Sequence, residues 1–405
     1  MVKTRYDTSI WLDRIAAGSR PKFPVFRGER ACDVVVVGAG LTGALTAYWL
    51  AKAGADVVVV DAGRVADGAT AHGSGILFGT PEASFRDLRE RHGLRAARHV
   101  FEESSRATLE LCSLLRRLDV RADCACGEGL QLATTAEQAR TLELECDAER
   151  AAGLDAPWLS ARRASAASRT DAEGAIRRHA DGTVDPYRAT LGIVAAATKA
   201  GATFHERSLV RRTRYSKNGA EVHLATGALK ARHVVVATGE PGRLFPALRR
   251  HFVAHEAFVV VTEPLPKALA SRLGPFTGRD SDVPPHRWRL LKDRRILVQG
   301  ADDASRAARG RESLVVQRSG QLMYELSRLY PDISGVRPAY AWSCPGASAA
   351  DGLFVAGPHR AVPHHVFALG LARAGLGGAY LASKIAMRHV TDECRAGDEH
   401  VGFGR

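Results

Sequence analysis

The chain has 405 residues, 45% of them hydrophobic, and a formal net charge of +13 at neutral pH. That length exceeds what one core ordinarily serves and implies about two or three domains, and the mix of charge and apolar residues excludes a disordered chain. The surplus charge is arginine scattered along the sequence, with no basic tract interleaved with aromatics, so it reads as compositional background; an RNA partner or an anionic substrate stays open beside that.

Residues 1–30 read as a polar arm, with Pro21 and Pro24, laid over the surface. MVKTRYDTSIWLDR is no secretory leader, and no apolar run reaches the roughly 18 residues of a membrane span, so a cytoplasmic protein is expected. The seven cysteines lack metal spacing. CAC at 124–126 has no partner pair, so reduced thiols and no metal site are expected.

Residues 32–62 read strand, glycine turn, helix, strand: CDVVVVG, LTGALTAYWLAKAG, DVVVVDA. Unbroken valine runs belong to strands buried on both faces, as in parallel sheets. Helices are predicted over 86–120 and 135–153, with GLQLATT a strand candidate between them. A helix and short strand follow in 183–206, then an alternating pair, AEVHLAT and ALKARHVVVATG, that ends in another valine run. Residues 254–300 change character: HEAFVVVTEP and HRWRLLKDRRILVQG predict antiparallel strands, the second folded back about Lys292–Asp293. A helix over 310–329, short strands AYAWSC and LFVAGP, and a last helix over 375–389 complete the chain.

Strand alternation places His286, Trp288 and Leu290 on one face and Tyr340, Trp342 and Cys344 on another. These aromatics either line a cleft between domains, which makes Trp288 a candidate substrate contact, or pack a core. The element order is that of an α/β (α+β) protein. A Rossmann-type dinucleotide-binding domain is assembled from segments 31–94, 168–239 and 338–392, and a second, antiparallel-sheet substrate domain from 95–167 and 240–337, with a tail at 393–405.

The glycine turn carries the chemistry. Gly38 lets the strand turn sharply, Gly40 lets backbone approach a pyrophosphate, and Gly43 lets helix and strand pack closely. The helix N-terminus offers free N–H groups and positive dipole to phosphates, and Asp61, at the end of the next strand, can accept from ribose hydroxyls. This motif alone does not separate NAD from FAD. Downstream, DGATAHGSGILFG (67–79) is a second small-residue loop along which a larger cofactor can pass, and HVVVATG (233–239) and DGLFVAG lead to further glycine turns.

In the order GAGLTG, GATAHGSG, VDPYR, VVVATG, DGLFVAG and a final glycine-started helix, the chain resembles the D-amino-acid oxidase-like (DAO) superfamily of FAD-dependent oxidoreductases, nearest its γ-glutamylputrescine oxidase-like branch. The resemblance covers about residues 30–390 and implies an extended FAD with its ring between the two domains. It implies that Gly38, Gly40, Gly43 and Asp61 hold the ADP half, beside Ala39, Leu41, Thr42 and Ala62. It further implies that Gly68, Ala69 and Thr70 lie along the phosphates and ribityl chain and Ser74, Gly75 and Ile76 along the ring, and that Val210 meets the adenine edge through its backbone. It likewise implies that Ala237, Thr238, Gly239, Gly375 and Leu376 close on the cofactor.

Departures from the family matter as much. GLARAGLGG (370–378) keeps Gly370 and Gly375 but has Arg373 and Ala374 where the family has a small polar pair. A helix starting at Gly375 still aims its positive end at the flavin pyrimidine. Arg373 either adds to that charge or sits in solvent, and His72 either handles substrate or a proton or is bonded to backbone. The histidines of GPHRAVPHH (357–365) suit a turn between strands rather than a metal site. In the sarcosine-oxidase branch a cysteine seven residues before an aspartate carries flavin covalently, and Cys344 stands so before Asp351; the alternative is a small buried cysteine. Amino-acid-oxidising members place an arginine after this strand's tryptophan to grip a carboxylate, but none lies between Trp342 and Asp351, and Arg287, Arg289 or Arg373 would have to substitute.

The resemblance implies oxidation of a C–N bond in an amine or amino-acid-type substrate by hydride transfer to flavin N5, with oxygen or another carrier as electron acceptor. Two other functions stand beside it: a non-catalytic FAD-binding subunit, motivated by the altered 370–378 loop, and an FAD-dependent RNA-modifying enzyme, motivated by the positive charge alone. A nicotinamide dehydrogenase leaves the late ATG strand and the C-terminal glycines unexplained.

Overall fold

In the computed structural model, which describes residues 3–273, 277–304 and 311–405, two large sheets carry a mixed α/β chain. The first has eight strands. Val362–Leu369, Gly227–Gly239, Gly28–Val37, Val57–Val60 and Thr203–His205 run parallel in that order, and Val355–His359 closes one edge antiparallel. The valine runs stand at its centre in register, Val34 beside Val57 and Val37 beside Val60.

Alternate valines leave by opposite faces, and both faces are covered. Val34, Val36, Val57 and Val59 pack with residues of the helices Leu41–Lys52, Pro186–Lys199 and Gly375–Val390. Val35, Val37, Val58 and Val60 pack with Phe26, Phe245, Phe367 and the hairpin Val210–Ser216/Gly219–Leu224. Hydrophobicity is therefore continuous along the strand, because neither face meets water.

The second sheet has ten strands and is mostly antiparallel. Pro338–Ala349, Phe252–Thr262, Ile296–Ala304, Arg287–Leu290, Thr277–Asp280, Ala125–Ala133 and Gly174–Thr183 follow one another across it. The turn at Lys292–Asp293 joins two of them, with Leu290 opposite Ile296. The helix Arg311–Leu329 covers one face, burying Phe258, Val260, Trp288, Val298, Leu322 and Leu326 between helix and sheet; position 310 of the predicted helix lies outside the described residues. Among the described residues no helix is long and apolar enough to cross a membrane.

Three features differ from the sequence expectations. The segments interleave more finely, since Gly174–Thr183 and Pro338–Ala349 run in the second sheet. The N-terminal arm is pinned rather than draped: Arg5–Tyr6 pairs beside Tyr340–Ala341, and buried Trp11 donates from Nε1 to Gly73 O at 2.8 Å. Ile10 and Trp11 anchor an arm that otherwise stays largely at the surface. Finally, Cys126 is disulfide-bonded to Cys112, with Cys124 Sγ 3.1 Å from Cys112 Sγ. The CAC pair finds its partner on the Phe85–Arg117 helix, a spatial proximity that spacing in the sequence does not show.

Candidate functional site

A cleft of about 470 Å³ runs from the glycine loop of the first sheet to the inner face of the second. At its first end the three glycines have different reasons to be glycine. A Cβ on Gly43 would lie 1.8 Å from Gly38 O, and one on Gly38 (φ +105°) would lie 2.5 Å from Ala237 O. Those two are demanded by the protein's own packing. A Cβ on Gly40 meets within 4 Å only Thr70 Oγ1, at 3.1 Å, so its missing side chain leaves room in the cleft itself.

Backbone donors and acceptors surround that room. Asp61, at the cleft wall, accepts from Ala39 N–H and Gly63 N–H, each at 2.7 Å, which fixes its carboxylate while leaving lone pairs for a ligand. Thr70 Oγ1 accepts from Leu41 N–H at 3.1 Å, at the start of the Leu41–Lys52 helix. Gly370 N–H donates to Gly239 O at 2.9 Å, tying the turn that ends one valine strand to the loop before the last helix. Gly375, at φ +63°, opens that helix, and both it and Leu376 line the cleft. A glycine cradle, an anchored carboxylate and two helix starts on one elongated cleft fit an extended dinucleotide such as FAD.

The other end is a charged chamber lined by Glu82, His255, Arg279, Arg287, Gln299 and Asp302. Glu82 accepts from Arg287 and stands 3.3 Å from Arg373 Nε. Burial works against its charge, but the two guanidinium groups prevail and hold it below the ordinary glutamate range. For Arg287 likewise, burial is outweighed by Glu82 and Asp302, and its basicity rises. Burial, followed by the charge of Arg178, drops Arg279 to about 10; its fork is held by Thr80 Oγ1 and Gln131 Oε1, both at 2.9 Å, and stacks over Phe78. Burial and then Arg373 push His255 down, so its imidazole is neutral near pH 7. Burial and then Asp302 push the Cys344 thiol up to about 12, so it is protonated.

Gly38, Gly40, Leu41, Thr42, Asp61, Ala62, Gly68, Ala69, Thr70, Ser74, Gly75, Ile76, Val210, Ala237, Thr238, Gly239, Gly375 and Leu376 all line this cleft. Ala39 and Gly43 stand just behind it, Ala39 as the donor to Asp61 and Gly43 as the packing point against Gly38. Arg373 lines the rim, half exposed, beside Glu82. His72 is placed otherwise: its Nδ1 lies 2.9 Å from Gly68 O, its carbonyl accepts from Trp342 Nε1, and it is not among the lining residues.

Trp288 is also away from the cleft, 1% exposed in the core under the Arg311–Leu329 helix. The face it shares with His286 and Leu290 is the helix side, and the opposite side of the same strand delivers Arg287 to the chamber. Arg289, on that inner side too, spends Nη1 on Gly75 O at 2.7 Å and Val184 O at 2.8 Å. Glu82, His255, Arg279, Gln299 and Asp302 went unnoticed in the sequence, where each stands in a different local pattern. The one available signal was alternation, which marks Arg287 as facing away from Trp288.

Comparison with known proteins follows the same lines. The family described as "DAO: FAD dependent oxidoreductase" matches residues 33–388. Gamma-glutamylputrescine oxidoreductase of Escherichia coli is 28% identical over 341 residues, 81% of this chain and 76% of that protein. The probable oxidoreductase OrdL of Haemophilus influenzae is 24% identical over 91% of this chain and 85% of its own. Among solved structures, glycine oxidase from Geobacillus kaustophilus superposes with a TM-score of 0.77 at 22% identity, covering 91% of this chain and 97% of that one.

Proposed function

The chain belongs to the DAO family of FAD-dependent oxidoreductases, and on that premise we propose that it oxidises a C–N bond of an amine, the resulting imine then hydrolysing. The bound flavin supplies the acceptor for a hydride from the carbon beside nitrogen. Gly40, Leu41, Thr42, Asp61, Ala62 and Val210 would hold the adenosine and phosphate half, and Ala69, Thr70, Ser74, Ile76, Thr238, Gly375 and Leu376 the flavin half. Gly375 and Leu376, at the start of the Gly375–Val390 helix, would set its positive end toward the flavin, where it would favour added electron density. His255, neutral in the chamber wall, can take the proton that an ammonium must lose before hydride departs.

The observation that carries this reading is the state of the chamber's arginines. Arg279 has both fork nitrogens on protein partners, and Arg287 has Nη2 on Glu82 with only Nη1 left without a hydrogen bond among the described residues. Neither therefore offers two free fork nitrogens to a carboxylate; of the three lining arginines, that is left to Arg373 at the rim. A small amino acid would need a buried bidentate arginine for its carboxylate. The similarity to gamma-glutamylputrescine oxidoreductase supports the amine class.

The test begins with the visible spectrum of purified protein, followed by anaerobic mixing with primary amines, N-acylated diamines, glycine and small D-amino acids. Faster bleaching by the amines is expected. Efficient turnover of D-amino acids without any response to amines would refute the assignment and mark Arg373 as a carboxylate clamp. Reoxidation on admitting air separates oxygen from another carrier as electron acceptor.

A further inference from the structure

We propose that Asp302 is the cation-recognising residue of the chamber, the group that receives an ammonium of the substrate; this rests on the amine-oxidising function above. The strand Ile296–Ala304 sends Ile296 and Val298 to the helix-side core and Gln299 into the cleft. Unbroken alternation would then aim Ala301 at the cleft and Asp302 at the core.

The ladder breaks there instead. Phe258 pairs with Gly300 and Glu256 with Asp303, so Ala301 and Asp302 together oppose Ala257. Ala301 adopts φ +52° and stays in the helix-side core, 6% exposed. Asp302 is thereby turned into the cleft. A left-handed, non-glycine residue at a bulge is a conformation the surroundings must impose, and bulges of this kind re-aim side chains beside sites.

What the bulge delivers is a carboxylate with too few partners. The Asp302 side chain is 6% exposed, and its Oδ1 has no hydrogen-bond partner. The nearest cation, Arg287 Nη1, is 3.8 Å away, beyond hydrogen-bond reach, and Arg287 donates from Nη2 to Glu82. Arg287 thus stands between two carboxylates and satisfies one. The other charged or titratable groups facing Asp302 do not help: the Cys344 thiol is protonated and the His255 imidazole neutral. Buried carboxylates are retained when something pairs with them. A ligand carrying N–H donors and positive charge completes this chamber, whereas a ligand carboxylate at the same place would be repelled.

The test uses tert-butylamine and tert-butanol, which match in shape and have no hydrogen on the carbon bearing nitrogen or oxygen, so that neither is oxidised. Binding to the flavin-loaded enzyme is read from the flavin difference spectrum at a pH where the amine is protonated. The wild type is expected to bind the ammonium about tenfold or more tightly than the alcohol, the scale of one charged hydrogen bond. Asp302→Asn should bring the two affinities together while leaving alcohol binding and flavin content unchanged, and Asp302→Glu should keep part of the preference. With a reactive amine, Asp302→Asn should raise KM more than it lowers kcat.

An Asn variant that retains the wild-type preference overturns the proposal even if amines are oxidised, and then the amine function stands. A preference that depends on Asp302 in an enzyme that oxidises no amine leaves cation recognition standing and removes the amine function. Should Asp302→Asn lose flavin, the wild type decides alone: equal affinity for ammonium and alcohol overturns the proposal.

Discussion

Gly40 and Gly43 lie three residues apart in one loop, and replacing each by alanine separates a fold requirement from a ligand requirement. At Gly43 the new Cβ would stand 1.8 Å from Gly38 O, so helix and strand must part by roughly 1.4 Å to restore contact. Both sides of that contact are backbone, which puts the penalty near the top of the ~1–3 kcal/mol range for overpacking, offset by ~1 kcal/mol of better helix propensity. A net loss of about 2 kcal/mol is expected for Gly43→Ala. At Gly40 the backbone has φ −72°, open to any residue, and the single close neighbour is the Thr70 hydroxyl oxygen.

Gly40→Ala should therefore leave the flavin-free protein within ~0.5 kcal/mol of wild type. Its methyl group occupies cleft space, and displacing a phosphate from one or two backbone N–H donors weakens FAD by about 10- to 100-fold. Denaturant melts of the flavin-free proteins measure the first quantity, and FAD titration of the same samples measures the second. Wild-type FAD affinity in Gly40→Ala, or wild-type stability in Gly43→Ala, would refute the reasoning.

Cys344, partly exposed on the cleft but held protonated, should not carry flavin covalently: acid precipitation should leave a yellow supernatant, and a yellow pellet would contradict this. Trp288→Ala should act on stability, with a loss of about 3–5 kcal/mol in a denaturant melt and little change in substrate discrimination by the protein that folds. Glu82→Gln should destabilise by about 3 kcal/mol, because the amide can still accept from Arg287 but removes the negative charge that pairs with this buried guanidinium. Since Glu82 titrates lower in the folded chain than unfolded, its contribution is complete above the ordinary value of 4.5 and is lost as pH falls through the lowered one. The acid limb of a stability–pH curve should accordingly be shallower in the variant.

Much of the frame was legible in the sequence because it depends on short-range order. Four consecutive valines declare a strand dry on both faces, and Val34–Val37 and Val57–Val60 stand in register at the centre of the parallel sheet. The hairpin about Lys292–Asp293 follows from its alternation and turn residues. The three glycines and Asp61 fall within one strand–helix–strand unit, so the chain's own spacing brings them to one place.

The chamber had no such unit. Glu82 and Arg287 meet across 205 residues of chain, and nothing near either one announces the other. Alternation separated Trp288 from Arg287 correctly but is silent on which face meets a helix and which meets a cofactor, a choice made when Arg311–Leu329 packs on one side. At Asp302 alternation fails outright, because a bulge adds one residue to the strand and reverses every side chain beyond it. Local pattern thus determined the dinucleotide cradle, whose parts are covalent near-neighbours. The charged end of the cleft was decided only by tertiary packing, since its ion pairs and its unpartnered carboxylate exist only once distant strands share a sheet.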